Sequence, residues 1–369
     1  MKPIELNNFD FLCSWNDSKK EKAVVAVYFE VGSYEDEVAE GMAHFTEHMV
    51  VMGLNDYPLY SKNNMIISAT TDLFATIYYI ECENTQSEIC KALKIAELIA
   101  TGATLSKFYT DLVREDVLKE YERYITEIES VPSYILFKQF NLPFNLPIGN
   151  PNVIKNIRYD DIIQFYKKNY LTCNKKIVIV GQYEKRSRNS YQSEKNINEN
   201  NKIRVWGKIG FKKYIYQNKG HSYLAWGNLF EIIPLVEKIE VILMAIQIVA
   251  KEYYNRIISS FEICSYGKSS LFILLEICRD KILYSESELI ENIIGCLNEN
   301  IFSLAKRHYL LKRIEQSKDI LGEAQDLLFL IKNDIQIKDK KALKYILSHY
   351  DYNEFMLNVK QVFGEQAHF

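Results

Sequence analysis

The chain has 369 residues and a formal net charge of −3, with 48% apolar and 25% charged residues. This is a soluble globular make-up with core-forming material for two domains of ordinary size. The near-neutral balance, with no basic stripe or arginine-rich arm, argues against nucleic acid as a partner. Seven cysteines (Cys13, Cys82, Cys90, Cys173, Cys264, Cys278 and Cys296) are odd in number and never spaced C-x-x-C, which argues against a disulfide framework and a cysteine-based zinc site.

The first 22 residues, MKPIELNNFDFLCSWNDSKKEK, lack the apolar run of a signal peptide, so the expected location is cytoplasmic. Residues 23–29 (AVVAVYF) read as a buried strand ending at Gly32 and Ser33. A helical stretch is predicted over 37–52, an extended one over 66–79, and an amphipathic helix over 87–100 with Ile89, Ala92, Leu93, Ala96 and Ile99 on one side. Another helix spans 107–129. Pro132, Pro143, Pro147 and Pro151 then mark a looped stretch. Residues 160–170 read as helix and 177–180 as a short strand before Gly181.

Residues 184–202 are polar throughout and read as a linker. Beyond it come a strand at 223–226, a long helix over 234–261, a strand at 270–277, a helix over 286–306 and further helices to the end. The apolar run 241–250 is too short to span a bilayer, so no membrane association is expected. Both halves mix helices with sheet. The expected fold is α+β in two domains, 1–185 and 202–369, joined by a polar linker at 186–201.

The informative segment is GMAHFTEHMVVM, residues 41–52. On a helix, Met42, Phe45, Met49 and Met52 make an apolar stripe, and His44, Glu47, His48 and Val51 make a second one about 100° away. Two imidazoles four residues apart on one face can reach a single metal ion. The carboxylate between them can instead take the proton of a water activated by that metal. A catalytic zinc needs a third protein ligand and an open position. In the acidic helix over 107–129, Glu120 shares the core-facing stripe of Val113, Val117 and Tyr124, and Glu127 lies on the same stripe. A carboxylate on a buried face is costly unless it is paired or metal-bound.

With these residues in view, the sequence resembles the pitrilysin/insulinase family, the zinc peptidases with the inverted H-x-x-E-H motif. The likeness covers about residues 20–185. It includes Gly32 and Ser33, then EGMAHFTEHMVVMGLNDYP, SATTDLFATIYY at 68–79, REDVLKE ending at Glu120, LPIGNPNVIKNIRYDDIIQFYKKNY, and KKIVIVG. The 72 positions from His48 to Glu120 match the family's usual separation.

The resemblance implies one zinc per chain held by His44, His48 and Glu120, with Glu47 as general base. It also implies two related domains, each a mainly antiparallel sheet packed against helices. The expected activity is endopeptidase action on extended peptides that add to an edge strand around Ser68 and Ala69, with maturation of a ribosomally made peptide as one setting. The alternative is a non-catalytic assembly subunit with the same fold. Two departures stand out: Ser68 replaces a frequent Asn, and Val113 replaces an additional Glu seven residues before the ligand. In the second half Tyr266 matches a substrate-holding Tyr. The Arg expected seven positions earlier is Ser259, with Arg256 nearby but off register. A dimer is expected, with a related zinc-less chain or with itself.

Overall fold

The apolar run at 23–29 becomes the middle strand of a sheet in a computed structural model of the chain. The structure describes residues 8–15, 19–37, 39–61, 64–126, 147–183, 210–218, 221–230, 236–254, 257–266, 269–278, 286–316, 318–332 and 347–363. The chain divides into two compact units. The first takes Met1–Tyr124, Pro143–Asn198 and Gln316–Gln336; the second takes Ile125–Leu142, Glu199–Glu315 and Ile337–Phe369. The predicted linker at 186–201 lies outside the described residues.

The first unit holds strands β1 (Phe11–Trp15), β2 (Lys22–Phe29), β3 (Ile66–Thr71), β4 (Thr76–Glu83) and β5 (Lys175–Val180), in the order β1-β5-β2-β4-β3. All pairings are antiparallel except that of β1 with β5. Along β2, Ala23, Val25, Val27 and Phe29 pack in a cluster with Ile89, Leu93 and Ile99 of the helix Gln86–Thr101. Val24, Ala26 and Tyr28 point the other way and are equally buried. Helix Ile320–Lys332 also packs on β2 and β5. A strand covered on both faces has no polar side, which is why this run is continuously apolar.

The second unit holds β6 (Gly210–Asn218), β7 (His221–Phe230), β8 (Ile257–Tyr266) and β9 (Ser269–Cys278) in a fully antiparallel sheet of order β6-β7-β9-β8. Its core joins Ile242, Ile246 and Val249 of helix Val236–Tyr254 to Ile301 and Phe302 of helix Glu299–Gln316 and to Phe355 and Val359 of helix Tyr352–Phe363. The architecture is α+β, as expected.

Several predicted elements are redrawn. The extended stretch 66–79 is two strands, because Asp72 folds its side chain onto the amides of Phe74 and Ala75, both at 2.6 Å, and turns the chain. The helix predicted over 234–261 ends at Tyr254, and the β-branched start of 257–266 pairs with β9 as a strand. The helix predicted over 286–306 is two, Glu286–Gly295 and Glu299–Gln316. Asn298 starts the second by accepting the Ile301 amide at 3.1 Å. β1 and β6 are strands the sequence reading did not identify.

Candidate metal centre

Helix α1, Met42–Gly53, carries the motif, and it begins five residues later than predicted. The delay has a local cause. Asp36 ends a 3-10 turn, Ser33–Asp36, and its buried carboxylate accepts the amides of Gly41 at 2.7 Å and Ala43 at 2.8 Å. It therefore caps the positive end of α1. Burial pushes this carboxyl up to about 8, against the pull of those amides. Gly41 has φ +96°, and a Cβ there would stand 3.0 Å from Cα of Gly149. Gly149, at φ +71°, would place a Cβ 2.5 Å from Cα of Gly41. Two bare backbones thus meet at the entry to α1, and the amide of Asn150 donates to the Glu40 carbonyl at 3.3 Å.

The apolar stripe then seats the helix. Met42, Phe45 and Met49 are buried in one cluster with Val113 and Val117 of helix α2, Thr110–Thr126, and with Ile154 and Ile162. Val50 and Leu54 join the sheet-side cluster instead. With α1 gripped on two sides, His44, Glu47 and His48 have only one direction left to face. Val113, the departure noted above, is a wholly buried core residue of this interface.

Three donors converge there. Nε2 of His44 and Nε2 of His48 are 3.2 Å apart, and Oε2 of Glu120 lies 3.6 Å from the first and 3.3 Å from the second. Tetrahedral donors about 2.0–2.2 Å from a zinc ion stand about 3.3–3.6 Å from one another. The spacing and the donor set, two imidazoles and a carboxylate, therefore fit zinc with a fourth position free. Among the described residues this is the one His/Cys/Asp/Glu grouping within metal-binding reach.

The charges suit a cation. Burial pulls the His44 imidazole down to about 4, with His48 acting the same way and Glu120 opposing, so it is neutral and able to ligate near pH 7. Burial also lowers His48, but the carboxylates of Glu120, Glu47 and Asp116 outweigh it and hold that ring above its usual value. The bond to His48 holds Glu120 below the usual carboxylate range, against burial. Glu47 is buried beside the cluster. Burial raises its carboxyl, against the lowering effects of His48 and of a hydrogen bond from Thr71, whose Oγ1 donates to Oε2 at 2.7 Å.

The other predicted residues are more dispersed. Ser68 and Ala69 lie on β3, which among the described residues pairs only with β4 and forms the edge of its sheet. Side chains alternate along it. Ile66, Ser68 and Thr70 are exposed, while Ile67 and Ala69 pack on the sheet-side core and Thr71 reaches Glu47. The Ser68 side chain therefore lies on the face opposite the metal cluster. Tyr266 ends β8 in the second unit, opposite Ser269 in the ladder. Ser259 falls at a register shift in β8, between Ile258 and Ser260. Glu127 and Arg256 lie outside the described residues. The sequence reading did not single out Thr71 as a site residue, although its place at the end of SATT, three residues after Ser68, was in view.

Residues 12–152 match the family model for insulinase, peptidase family M16. A probable zinc protease PqqL of Haemophilus influenzae is 26% identical over 190 residues, covering 47% of this chain and 20% of that protein. Protease 3 of Salmonella typhimurium is 33% identical over 89 residues, or 22% of this chain and 9% of that one. The chain thus spans a minor part of the curated relatives it matches. Among solved structures, a protease from Helicobacter pylori superposes with TM-score 0.70 at 15% identity, covering 99% of this chain and 96% of that one. A peptidase M16 inactive domain from Pseudomonas fluorescens superposes with TM-score 0.66 at 13% identity, covering 98% and 91%. The periplasmic protease PqqL of Escherichia coli reaches TM-score 0.68 at 15% identity, over 98% of this chain and 46% of that one. That relative's location lends no support to the cytoplasmic expectation. Among the described residues no helix is long and apolar enough to cross a membrane. The family model opens on β1 and runs past Glu120 to the loop that seats α1, and residues 12–152 accordingly form an insulinase-type domain of peptidase family M16.

Proposed function

We propose that the chain is a zinc-dependent endopeptidase acting on extended peptides, with one zinc held by His44, His48 and Glu120 and with Glu47 as general base. The observation that carries this reading is the placement of a buried carboxylate, Glu47, beside three donors at zinc spacing. A scaffold has no physical need for a base next to two ligands. Zinc, when bound, supplies Lewis acidity, bringing water towards a pKa of ~7 and polarising a carbonyl. Glu47 takes the proton of the attacking water and returns it to the leaving amine. Among the described residues β3 has an unpaired edge, to which a peptide main chain adds as a further strand, so affinity comes from the backbone and sequence preference is broad. The names of the curated relatives agree with this chemistry.

The fold alone does not decide between a peptidase and an assembly subunit, since one structural neighbour is described as inactive. The chemistry of Glu47 separates the two. The expected outcome is about one zinc per chain in both wild type and Glu47→Gln, with hydrolysis of unstructured peptides falling about 10²–10⁴-fold in the variant, because an amide cannot accept the proton. Metal analysis and mass-spectrometric peptide screening read both quantities. Equal hydrolysis by the two proteins would overturn the assignment.

A further inference from the structure

Glu47 does not hold its orientation unaided. Its Oε2 accepts the hydroxyl of Thr71 at 2.7 Å. Behind Thr71 stands a chain of hydroxyls. Thr76 Oγ1 is 3.5 Å from Thr71 Oγ1, 2.9 Å from the Val31 carbonyl and 2.9 Å from the hydroxyl of Tyr170, which also lies 3.4 Å from the Ala43 carbonyl. Each hydroxyl has one proton to give. The Val31 carbonyl only accepts, so Thr76 donates to it. With the Thr76 proton so placed, Tyr170 directs its own between Thr76 at 2.9 Å and the Ala43 carbonyl at 3.4 Å, the shorter contact being to Thr76. An ionised Glu47 only accepts, so the Thr71 proton goes there. With the Thr71 proton on Glu47 and the Thr76 proton on Val31, none is left between the two threonines, so the Thr71 hydroxyl is directed by Glu47 itself. Thr76 and Tyr170 are buried, and Tyr170 stacks on Tyr166 with ring centroids 4.8 Å apart, so Thr71 lies against closely packed neighbours.

Thr71 is also the last residue of the edge strand β3. The Asp72 turn follows immediately, with the amides of Ser33 and Tyr34 donating to the carbonyls of Asp72 and Leu73 at 3.1 and 2.9 Å. The strand that offers its edge to a peptide is therefore anchored at the same end that holds the base. We propose that Thr71 is the positioning residue of the general base: its hydroxyl fixes Oε2 of Glu47, leaves Oε1 to exchange the proton with water, and ties that orientation to the strand on which the peptide docks. This inference rests on the peptidase reading above and names a group that reading does not need.

The test uses the zinc-loaded 369-residue chain and a quenched fluorescent peptide with no fixed structure, comparing wild type, Thr71→Val and Thr71→Ser. Valine keeps shape and β-branching but removes the hydroxyl; serine keeps the hydroxyl. Thr71→Val is expected to lower kcat about 10- to 100-fold, the scale of a slightly misplaced catalytic group, with KM within about twofold and zinc content unchanged. Thr71→Ser is expected to stay within about threefold of wild type. An unchanged kcat in Thr71→Val, equal losses in both variants, a change confined to KM, or loss of zinc would each overturn the proposal. Should Thr71→Val not fold, Thr71→Ala against Thr71→Ser gives the same comparison. Should fully zinc-loaded wild type cleave no peptide, the peptidase reading fails, and thermal melts decide the Thr71 contact on their own. Thr71→Val and Glu47→Ala should then shift Tm less in combination than the sum of their separate shifts. Additive shifts would overturn it.

Discussion

The two units build their sheets alike, with long antiparallel pairings and helices supplying the core, yet only the first brings metal donors together among the described residues. The difference lies in what surrounds one helix. In the first unit α1 is pressed on one side by Val113 and Val117 and on another by the sheet-side core, and its entry is fixed by Asp36 and two facing glycines. In the second unit helix Val236–Tyr254 has a comparable apolar investment, through Ile242, Ile246 and Val249. Its sequence, VEKIEVILMAIQIVAKEYY, offers no histidine to face a partner carboxylate. A shared architecture thus supplies a platform, and chemistry depends on which side chains the platform constrains.

The contrast is sharpest for the metal. His44→Ala or His48→Ala is expected to abolish zinc binding although the second unit is untouched. Glu120→Gln should weaken zinc binding by more than about 100-fold, the upper end of what loss of an outer partner costs. Competition with a chelator and metal analysis of the dialysed protein check this. Retention of zinc by both histidine variants would move the metal elsewhere and end the contrast between units.

A smaller effect is expected from backbone fit. Gly149→Ala puts a Cβ on a residue at φ +71° and within 2.5 Å of Cα of Gly41. It should cost about 2 kcal/mol or more, because positive φ and a backbone clash act together. Thermal melting should show a lowered Tm, with zinc affinity falling as the entry to α1 is displaced. The smallest effect, opposite in sign, belongs to the second unit. A Cβ on Gly295, at the end of helix Glu286–Gly295, meets nothing within 4 Å. Gly295→Ala should therefore be neutral or stabilise by about 0.4–1 kcal/mol through the unfolded chain. A larger loss at Gly295 than at Gly149 would show that the entry to α1 is not the sensitive point.

Some errors of the sequence reading share a cause. The segment 234–261 is apolar enough to pass as one helix, but its last residues pair with β9, with partners 13 to 20 positions onward, which local periodicity does not register. Residues 66–79 are extended as their composition predicts but form two strands instead of one, because the break depends on how Asp72 uses its side chain. The start of α1 was placed too early because helical propensity at 37–41 is overridden by the positive φ of Glu37 and Gly41 and by the Asp36 cap.

By itself, the sequence determined what repeats over a few residues: the buried strand at 23–29, the stripes of α1, and the pairing of His44 with His48 one helical turn apart, around Glu47. These follow from the 3.6-residue and two-residue periods of a chain whose neighbours are known in advance. Tertiary structure decided the rest. Helix periodicity left Glu120 and Glu127 on one stripe, and only the packing of α2 on α1 brings Glu120 within 3.3 Å of His48. Thr71, 24 positions from Glu47, meets it only because β3 pairs alongside β4 and ends beside α1. Gly41 and Gly149 touch across more than a hundred residues. Such contacts are set by strand order, register and close backbone approach, and the physical reason they escape a linear reading is that no local period links their positions.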